Sequence, residues 1–264
     1  MMKIKNGQFW LGDCLDLMKD IPDGSVDMVI TSPPYDNIRT YEGSLNWSFD
    51  VFKPIAKELT RCISKGGVIV WNVGDETING SETGSSFRQA LYFKDECNLN
   101  LHDTMIWQKS AFSAVGALKV RYAPVFEYMF VFSNGKPKTF NPIKDRKNIH
   151  ANVKYSGTVR QKNGSTIAVN GKGKKTINEF GQRFNVWKIN EEKNSKKYGH
   201  PAMFPIQIAN DHIISWSNPG DLVLDPFAGS GTTAVAAENT NRRWICIEQL
   251  PEYYYPAIIR VAGL

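Results

Sequence analysis

The sequence predicts an α/β fold, a doubly wound and mostly parallel sheet of seven strands interrupted by a basic insertion. Three observations carry this. Short apolar runs alternate with stretches of helical spacing over residues 1–132 and again over 200–264. Between them, 133–199 is rich in Gly, Asn and Lys and breaks the alternation. Two of the apolar runs, ending at Ile30 and Leu224, close on Pro- and Gly-bearing turns of the kind found at the carboxyl ends of parallel strands. At 264 residues the chain is long enough for one such domain with an insertion.

Each element follows in order. Gly7–Leu11 reads as a short strand, and Gly12-Asp13 leads into a helical stretch at Leu15–Lys19. Val26–Ile30 is a buried-type strand closed by Pro33-Pro34. Asn46–Cys62 places Phe49, Phe52, Ile55, Ala56 and Leu59 on one helical face, with Gly66-Gly67 as its stop and Val68–Val73 as the next strand. Ser86–Cys97 is expected to be helical, followed by strands at Asp103–Gln108 and Phe126–Phe132. Loops and short strands are expected over Ser133–Gly199. The alternation then resumes: helix Phe204–Ser215, strand Leu222–Leu224, helix Ser230–Glu238, strand Trp244–Ile247 and helix Glu252–Val261.

Composition narrows the class. No apolar run approaches the ~18 residues that span a bilayer, and the first residues carry no signal-peptide core. Cys14, Cys62, Cys97 and Cys246 are scattered without a Cys-x-x-Cys pair, which argues against a zinc site or a disulfide framework. No metal is expected, and the reading is a cytoplasmic protein of a bacterium or of the bacterial host of a virus. Net charge is +6, but its distribution says more: Ser133–Gly199 holds 16 Lys and Arg against 4 Asp and Glu, and the remainder holds 16 against 22. A basic segment interrupting an α/β pattern favours a nucleic-acid contact surface over a merely solvated lysine-rich loop.

Two motifs carry the chemistry. Asp225-Pro-Phe-Ala-Gly-Ser-Gly-Thr-Thr233 joins a strand to a helix. Its glycines permit close approach of a ligand, and the following helix N-terminus offers N–H groups to an anion. The motif lacks the Gly-Lys-Ser/Thr ending of a phosphate-binding loop. An acid about 20 positions on, after the next strand, commonly holds ribose hydroxyls, and Glu248 stands 23 positions after Asp225. Asp225 and Glu248 suit a cofactor with hydroxyls and an ammonium group but no phosphate, such as S-adenosylmethionine. The plain alternative is a tight strand-to-helix turn.

The second motif is Thr31-Ser32-Pro33-Pro34-Tyr35. Prolines donate no hydrogen bond, so the carbonyls of Ser32 and Pro33 can accept from an amino group. The Ser32 hydroxyl is a further acceptor, and Tyr35 offers a flat face for stacking. A rigid proline turn is the plain alternative. A polyproline recognition motif would need an exposed disordered segment, whereas this one caps a buried-type strand.

On these residues the chain resembles the amino-DNA methyltransferases, which methylate cytosine N4 or adenine N6. Thr31–Tyr35 looks like their catalytic motif and Asp225–Thr233 like their cofactor motif. The order, catalytic motif first and cofactor motif last with an insertion between, resembles the circularly permuted β group. His200-Pro201-Ala202-Met203-Phe204-Pro205 matches that group's segment before the cofactor strand, and Gly12-Asp13 its adenine site. The resemblance spans essentially the whole chain and is weakest over Ser133–Gly199.

It implies a Rossmann-like catalytic domain over 1–132 and 200–264, with target recognition at 133–199. Phe227, Gly229, Ser230, Gly231 and Thr232 would surround the methionine end of S-adenosylmethionine, with Phe204 and Pro205 closing that pocket. Glu248 would bind the ribose and Asp13 the adenine amino group. Each acid has a plainer alternative, Asp13 as a helix N-cap and Glu248 as a surface charge. Ser32, Pro33, Pro34 and Tyr35 would receive a base flipped out of double-stranded DNA. Lys144, Arg146, Lys147, Arg160, Lys162, Lys172, Lys174 and Lys175 are DNA-contact candidates as a group.

A serine opening the motif favours cytosine N4, with adenine N6 as the alternative. No Pro-Cys dipeptide is present for cytosine C5 chemistry. Glutamine methyltransferases use a related Pro-Pro-Tyr but place the cofactor motif before it, which makes protein or RNA a remoter target. A DNA-binding module with a decayed site is disfavoured because both motifs are intact. A cognate restriction endonuclease is a candidate partner, and monomer and homodimer both fit.

Overall fold

The computed structural model describes residues 1–34, 47–110, 119–170, 172–192, 203 and 205–263. The chain divides into two units, Met1–Asn141 with Asn185–Leu264, and Pro142–Phe184.

Along the chain, β1 (Met2–Ile4) turns back antiparallel onto β2 (Gly7–Leu11). Helix α1 (Cys14–Leu17) and a 3-10 turn at Met18–Asp20 lead to β3 (Val26–Thr31). Helix α2 (Phe49–Cys62) starts where the Ser48 hydroxyl accepts from the Val51 N–H at 3.2 Å. It buries Phe52, Ile55, Ala56, Leu59 and Cys62, one stripe at helical spacing. β4 (Ile63–Val73) follows directly, and the hairpin of β5 (Thr77–Ile78) and β6 (Ser81–Glu82) precedes α3 (Ser85–Asp95). β7 (Asn100–Gln108) and β8 (Phe126–Ser133) pair antiparallel. The second unit contributes β9 (Arg146–Lys147), β10 (Thr158–Arg160), β11 (Thr166–Ala168) and β12 (Phe180–Gly181). The first unit resumes with β13 (Val186–Lys188), α4 (Ile206–Trp216), β14 (Leu222–Asp225), α5 (Thr232–Asn239), β15 (Arg243–Glu248) and α6 (Pro251–Ala262).

Among the described residues, nine strands form one sheet in the order β1-β2-β15-β14-β3-β4-β8-β7-β13. The run from β2 to β4 is parallel throughout. One apolar layer packs α4, α5 and α6 on one face, including Ile208, Ile213, Ala236 and Ala257. The other packs α1, α2 and α3 opposite, including Cys14, Phe52, Leu59 and Phe93. The sheet is therefore covered on both sides, as a parallel sheet with near-continuous apolar strands requires.

Three expectations change. The sheet has nine strands rather than seven, because β1 extends one edge and β13 the other. Gly66-Gly67 is not the helix stop: α2 ends at Cys62 and the pair lies inside β4. There Gly66 takes φ +76° and a side chain at Gly67 would lie 2.9 Å from the Asp27 carbonyl oxygen, beside the register shift between Val26 and Met28. The insertion is also narrower than 133–199. Val186–Lys188 pairs parallel with Ile106–Gln108, Trp187 is buried, and the Trp107 indole donates to the Ile189 carbonyl at 2.9 Å. Upstream, the Asn141 N–H donates to Ser215 O at 2.8 Å.

Taken by itself, the second unit is two short ladders, β10 with β11 and β9 with β12. Arg183 donates to both carboxylate oxygens of Asp145, which holds that acid below its ordinary range. The Arg146 guanidinium lies 4.5 Å from the Phe184 ring centroid.

Candidate active site

The parallel run brings four chain segments to one edge of the sheet. β2, β15, β14 and β3 are successive neighbours pointing the same way. Their carboxyl ends therefore deliver Asp13, Glu248, the Asp225–Thr232 turn and Ser32 side by side in that order. Three strand spacings of about 4.8 Å separate the first from the last, roughly 14 Å.

Asp13 caps α1, its Oδ1 accepting from the Leu15 N–H at 2.8 Å. It is half-buried at the end of β2, and the neighbouring Gly12 N–H donates to Glu248 O at 3.0 Å. Glu248 is not a surface charge. It is 9% exposed, with Oε2 accepting from the Gly229 N–H at 2.8 Å and Oε1 from the Leu250 N–H at 2.9 Å. Burial raises its pKa above the ordinary carboxylate value, and these backbone donors oppose the rise.

Asp225 is held from within the protein. Its carboxylate is 1% exposed and already holds three donors: Thr31 Oγ1 at 2.6 Å, Thr233 Oγ1 at 2.6 Å and the Phe227 N–H at 3.0 Å. An acid so enclosed braces the turn. Burial pushes its pKa up to about 6 despite the hydrogen bonds. Its contacts join the two motifs, since Thr31 ends β3 immediately before Ser32.

The rest of the turn is as compact. Gly231 takes φ +77° as the N-cap of α5, and Ser230 and Thr232 are 5% and 3% exposed with their hydroxyls 3.4 Å apart. The half-buried Phe227 ring meets Trp47 edge-on at 5.5 Å and Trp71 at 6.3 Å. Ser32 and Pro34 are half-buried and Pro33 is buried. Pro205 is a buried N-cap of α4, its carbonyl accepting from the Ile208 N–H at 2.9 Å. Tyr35 and Phe204 lie outside the described residues.

Sequence reasoning missed Thr31, Thr233 and Trp47 as parts of this site, and also Asn72. Thr31 pairs with Trp71 across β3 and β4, so Asn72 stands level with Ser32. Asn72 Nδ2 donates to Glu127 at 3.0 Å, and Glu127 pairs with Lys109 at 2.7 Å. The two threonines sit inside the motifs and could have been noticed; Asn72 and Trp47 carry no sequence signal.

A family model described as DNA methylase, of the N6 and N4 class, matches residues 26–259. An orphan methyltransferase of Bacillus amyloliquefaciens, M.BamHII, is 50% identical over 244 residues, covering 90% of this chain and 89% of the relative. This chain belongs to the DNA methylase family. The type II methyltransferase M.PvuII of Proteus hauseri is 28% identical over 285 residues, covering 97% of the methylase and 83% of that relative. The solved PvuII DNA methyltransferase, described as cytosine-N4-specific, superposes with a TM-score of 0.72 at 24% identity, over 98% of this chain and 87% of the other. The M1.HpyAVI–SAM complex gives 0.64 at 23% identity, over 97% and 98%. The methylase is an S-adenosylmethionine-dependent DNA amino-methyltransferase with a Rossmann-like sheet. Among its described residues, no helix is long and apolar enough to cross a membrane.

The donor set fits S-adenosylmethionine. Carboxylates at Asp13 and Glu248 suit an amino group and ribose hydroxyls, and hydroxyls at a helix N-terminus suit a carboxylate.

Proposed function

We propose that this methylase transfers a methyl group to N4 of a cytosine flipped out of a specific duplex sequence. The observation that carries this is the order along the sheet edge. Asp13 and Glu248 would take the adenosine half of the cofactor, the turn through Ser230 and Thr232 its methionyl half, and Ser32 the target amine on the far side of that turn. The order supports reading Ser32-Pro33-Pro34 as the acceptor for the amino group, beside the reacting end of the cofactor. S-adenosylmethionine, when bound, supplies an activated sulfonium methyl.

The chain's own part is positioning and polarity. The Ser32 side chain and the Pro33 carbonyl accept hydrogen bonds from the base's amino group, which localises the nitrogen lone pair that is otherwise delocalised into the ring. Tyr35 stacks on the extruded base and offsets the few kcal/mol that flipping costs. The proton lost from nitrogen leaves to water, because the Ser32 hydroxyl and the Pro33 carbonyl are neutral acceptors that orient the amine without keeping its proton. Asp225, held between Thr31 and Thr233, keeps the acceptor motif and the cofactor turn in fixed register.

Cytosine is preferred over adenine on two grounds. The motif opens with serine, and the similar PvuII enzyme is described as cytosine-N4-specific. The unit at 142–184 is assigned to target recognition, because it holds ten Lys and Arg against two Asp and Glu. Seven of the eight basic candidates named from sequence are exposed there, Arg146 being the half-buried exception. The 50%-identical relative is called an orphan methyltransferase, which favours action without a paired endonuclease.

The test is nucleoside mass spectrometry on duplex DNA treated with the protein and S-adenosylmethionine. N4-methyldeoxycytidine is expected. N6-methyldeoxyadenosine overturns the base assignment, and no methylated nucleoside overturns the reading. Ser32→Ala is expected to lower turnover at least 100-fold with cofactor affinity within about twofold of wild type, the scale of one lost transition-state hydrogen-bonding group. Turnover near wild type in that variant removes Ser32 from the mechanism.

A further inference from the structure

Arg260, near the end of α6, reaches back to the cofactor turn 30 residues upstream. Its Nη1 donates to Ser230 O at 3.1 Å, to Ser230 Oγ at 3.2 Å and to Thr232 Oγ1 at 3.2 Å. No motif contains it, and the sequence offers no reason to connect it with the turn.

The chemistry of this contact is directional. A guanidinium is donor-only and always charged, whereas a hydroxyl both donates and accepts. Because Arg260 donates to both hydroxyl oxygens, the protons of Ser230 and Thr232 must point elsewhere. The two hydroxyls are 3.4 Å apart, so one can donate to the other. At least one hydroxyl proton is then left to serve as a donor. These donors stand at the start of α5, where unsatisfied N–H groups already favour negative charge. The only anionic group in S-adenosylmethionine is its methionyl carboxylate.

We propose that Arg260 is a positioning residue that presets the Ser230 and Thr232 hydroxyls as donors and so selects for the carboxylate of the cofactor. It acts through the turn and need not touch the ligand. The proposal rests on the reading that the methionyl end lies at Ser230–Thr232.

A two-by-two binding comparison tests it, using S-adenosylmethionine and decarboxylated S-adenosylmethionine, which lacks only that carboxylate, against wild type and Arg260→Met by isothermal titration calorimetry. Wild type is expected to prefer the full cofactor. Arg260→Met is expected to lose about tenfold in affinity for S-adenosylmethionine and less than twofold for the decarboxylated form. Arg260→Lys, which keeps charge and donors, is expected to recover most of the loss. Equal weakening of both ligands would make Arg260 a mere brace and overturn the proposal, as would no change in either. If wild type does not distinguish the two ligands, the placement of the methionyl end fails with it. Should Arg260→Met not fold, Arg260→Gln enters the same comparison.

Discussion

Asp225 shows how a single residue serves both motifs at a cost. Its carboxylate gathers Thr31, Thr233 and the Phe227 N–H within a fully buried setting, and burial still outweighs those bonds. Its pKa rises from 3.8 to about 6, so the folded state holds a proton that the unfolded chain has released between those values. Stability contributed by this group is therefore present at low pH and lost as pH rises toward 6. At about 1.4 kcal/mol per pH unit the loss is on the order of 3 kcal/mol. Glu248 is shifted in the same direction, whereas Asp145, paired with Arg183, is shifted the opposite way. A variant comparison isolates Asp225. In Asp225→Asn the amide can still accept from Phe227 and one threonine while donating to the other, but it does not titrate. Urea unfolding of both proteins at pH 4.5 and 7 should show wild type losing ground to Asp225→Asn by 1–3 kcal/mol across that interval. Parallel pH dependence would contradict the raised pKa. The spacing from Asp225 to Glu248 made both acids conspicuous in the sequence. That one is enclosed and the other is fastened to Gly229 depends on tertiary hydrogen bonds, which spacing does not encode.

At the scale of elements, the helices and strands were legible wherever apolar periodicity is long. The stripe Phe52, Ile55, Ala56, Leu59 identified α2, and the run from Val26 identified β3. Gly66-Gly67 misled because a glycine pair reads equally as a helix stop or a bulge. The choice is made by the Asp27 and Ser64 carbonyls, which leave no room for a side chain at Gly67. Gly231 is the glycine on which the site depends most. It holds φ +77°, and a Cβ there would lie 3.2 Å from the Ala257 Cβ and 3.3 Å from the Phe9 ring. Gly231→Ala should cost about 1–2 kcal/mol from the left-handed backbone alone, with crowding against Ala257 and Phe9 in addition. Because α5 begins at Thr232, any relief of that strain displaces the Ser230 and Thr232 hydroxyls. Thermal melting should therefore show a drop of several degrees. Calorimetry on the folded fraction should show weakened S-adenosylmethionine binding. A destabilised variant with undiminished affinity would separate the turn from the cofactor.

At the scale of the molecule, charge and compactness divide the labour. The first unit carries the sheet and both motifs, and the second, Pro142–Phe184, is small and strongly basic. Its existence was legible from lysine and glycine content, but its limits were not. Trp187 and Ile189 look like insertion residues in sequence, yet they are buried in the first unit through β13 and the Trp107 indole. Within the second unit the basic residues also differ. Arg183 is engaged by Asp145 and Arg146 packs on Phe184, so both serve the unit's own structure. Lys172, Lys174 and Lys175 are exposed and cluster just before the strand Phe180–Gly181. If these three contact phosphates, replacing them with glutamine should lower the slope of log K against log salt by up to about 2.7, at ~0.9 per phosphate contact on duplex DNA. Binding should weaken to a similar degree on cognate and unrelated duplexes, because phosphate contacts carry no base identity. Fluorescence anisotropy across a salt series measures both quantities on the same samples. A slope unchanged from wild type would remove the cluster from the phosphate contacts. An unchanged slope together with an altered methylation sequence would instead assign these lysines to base readout.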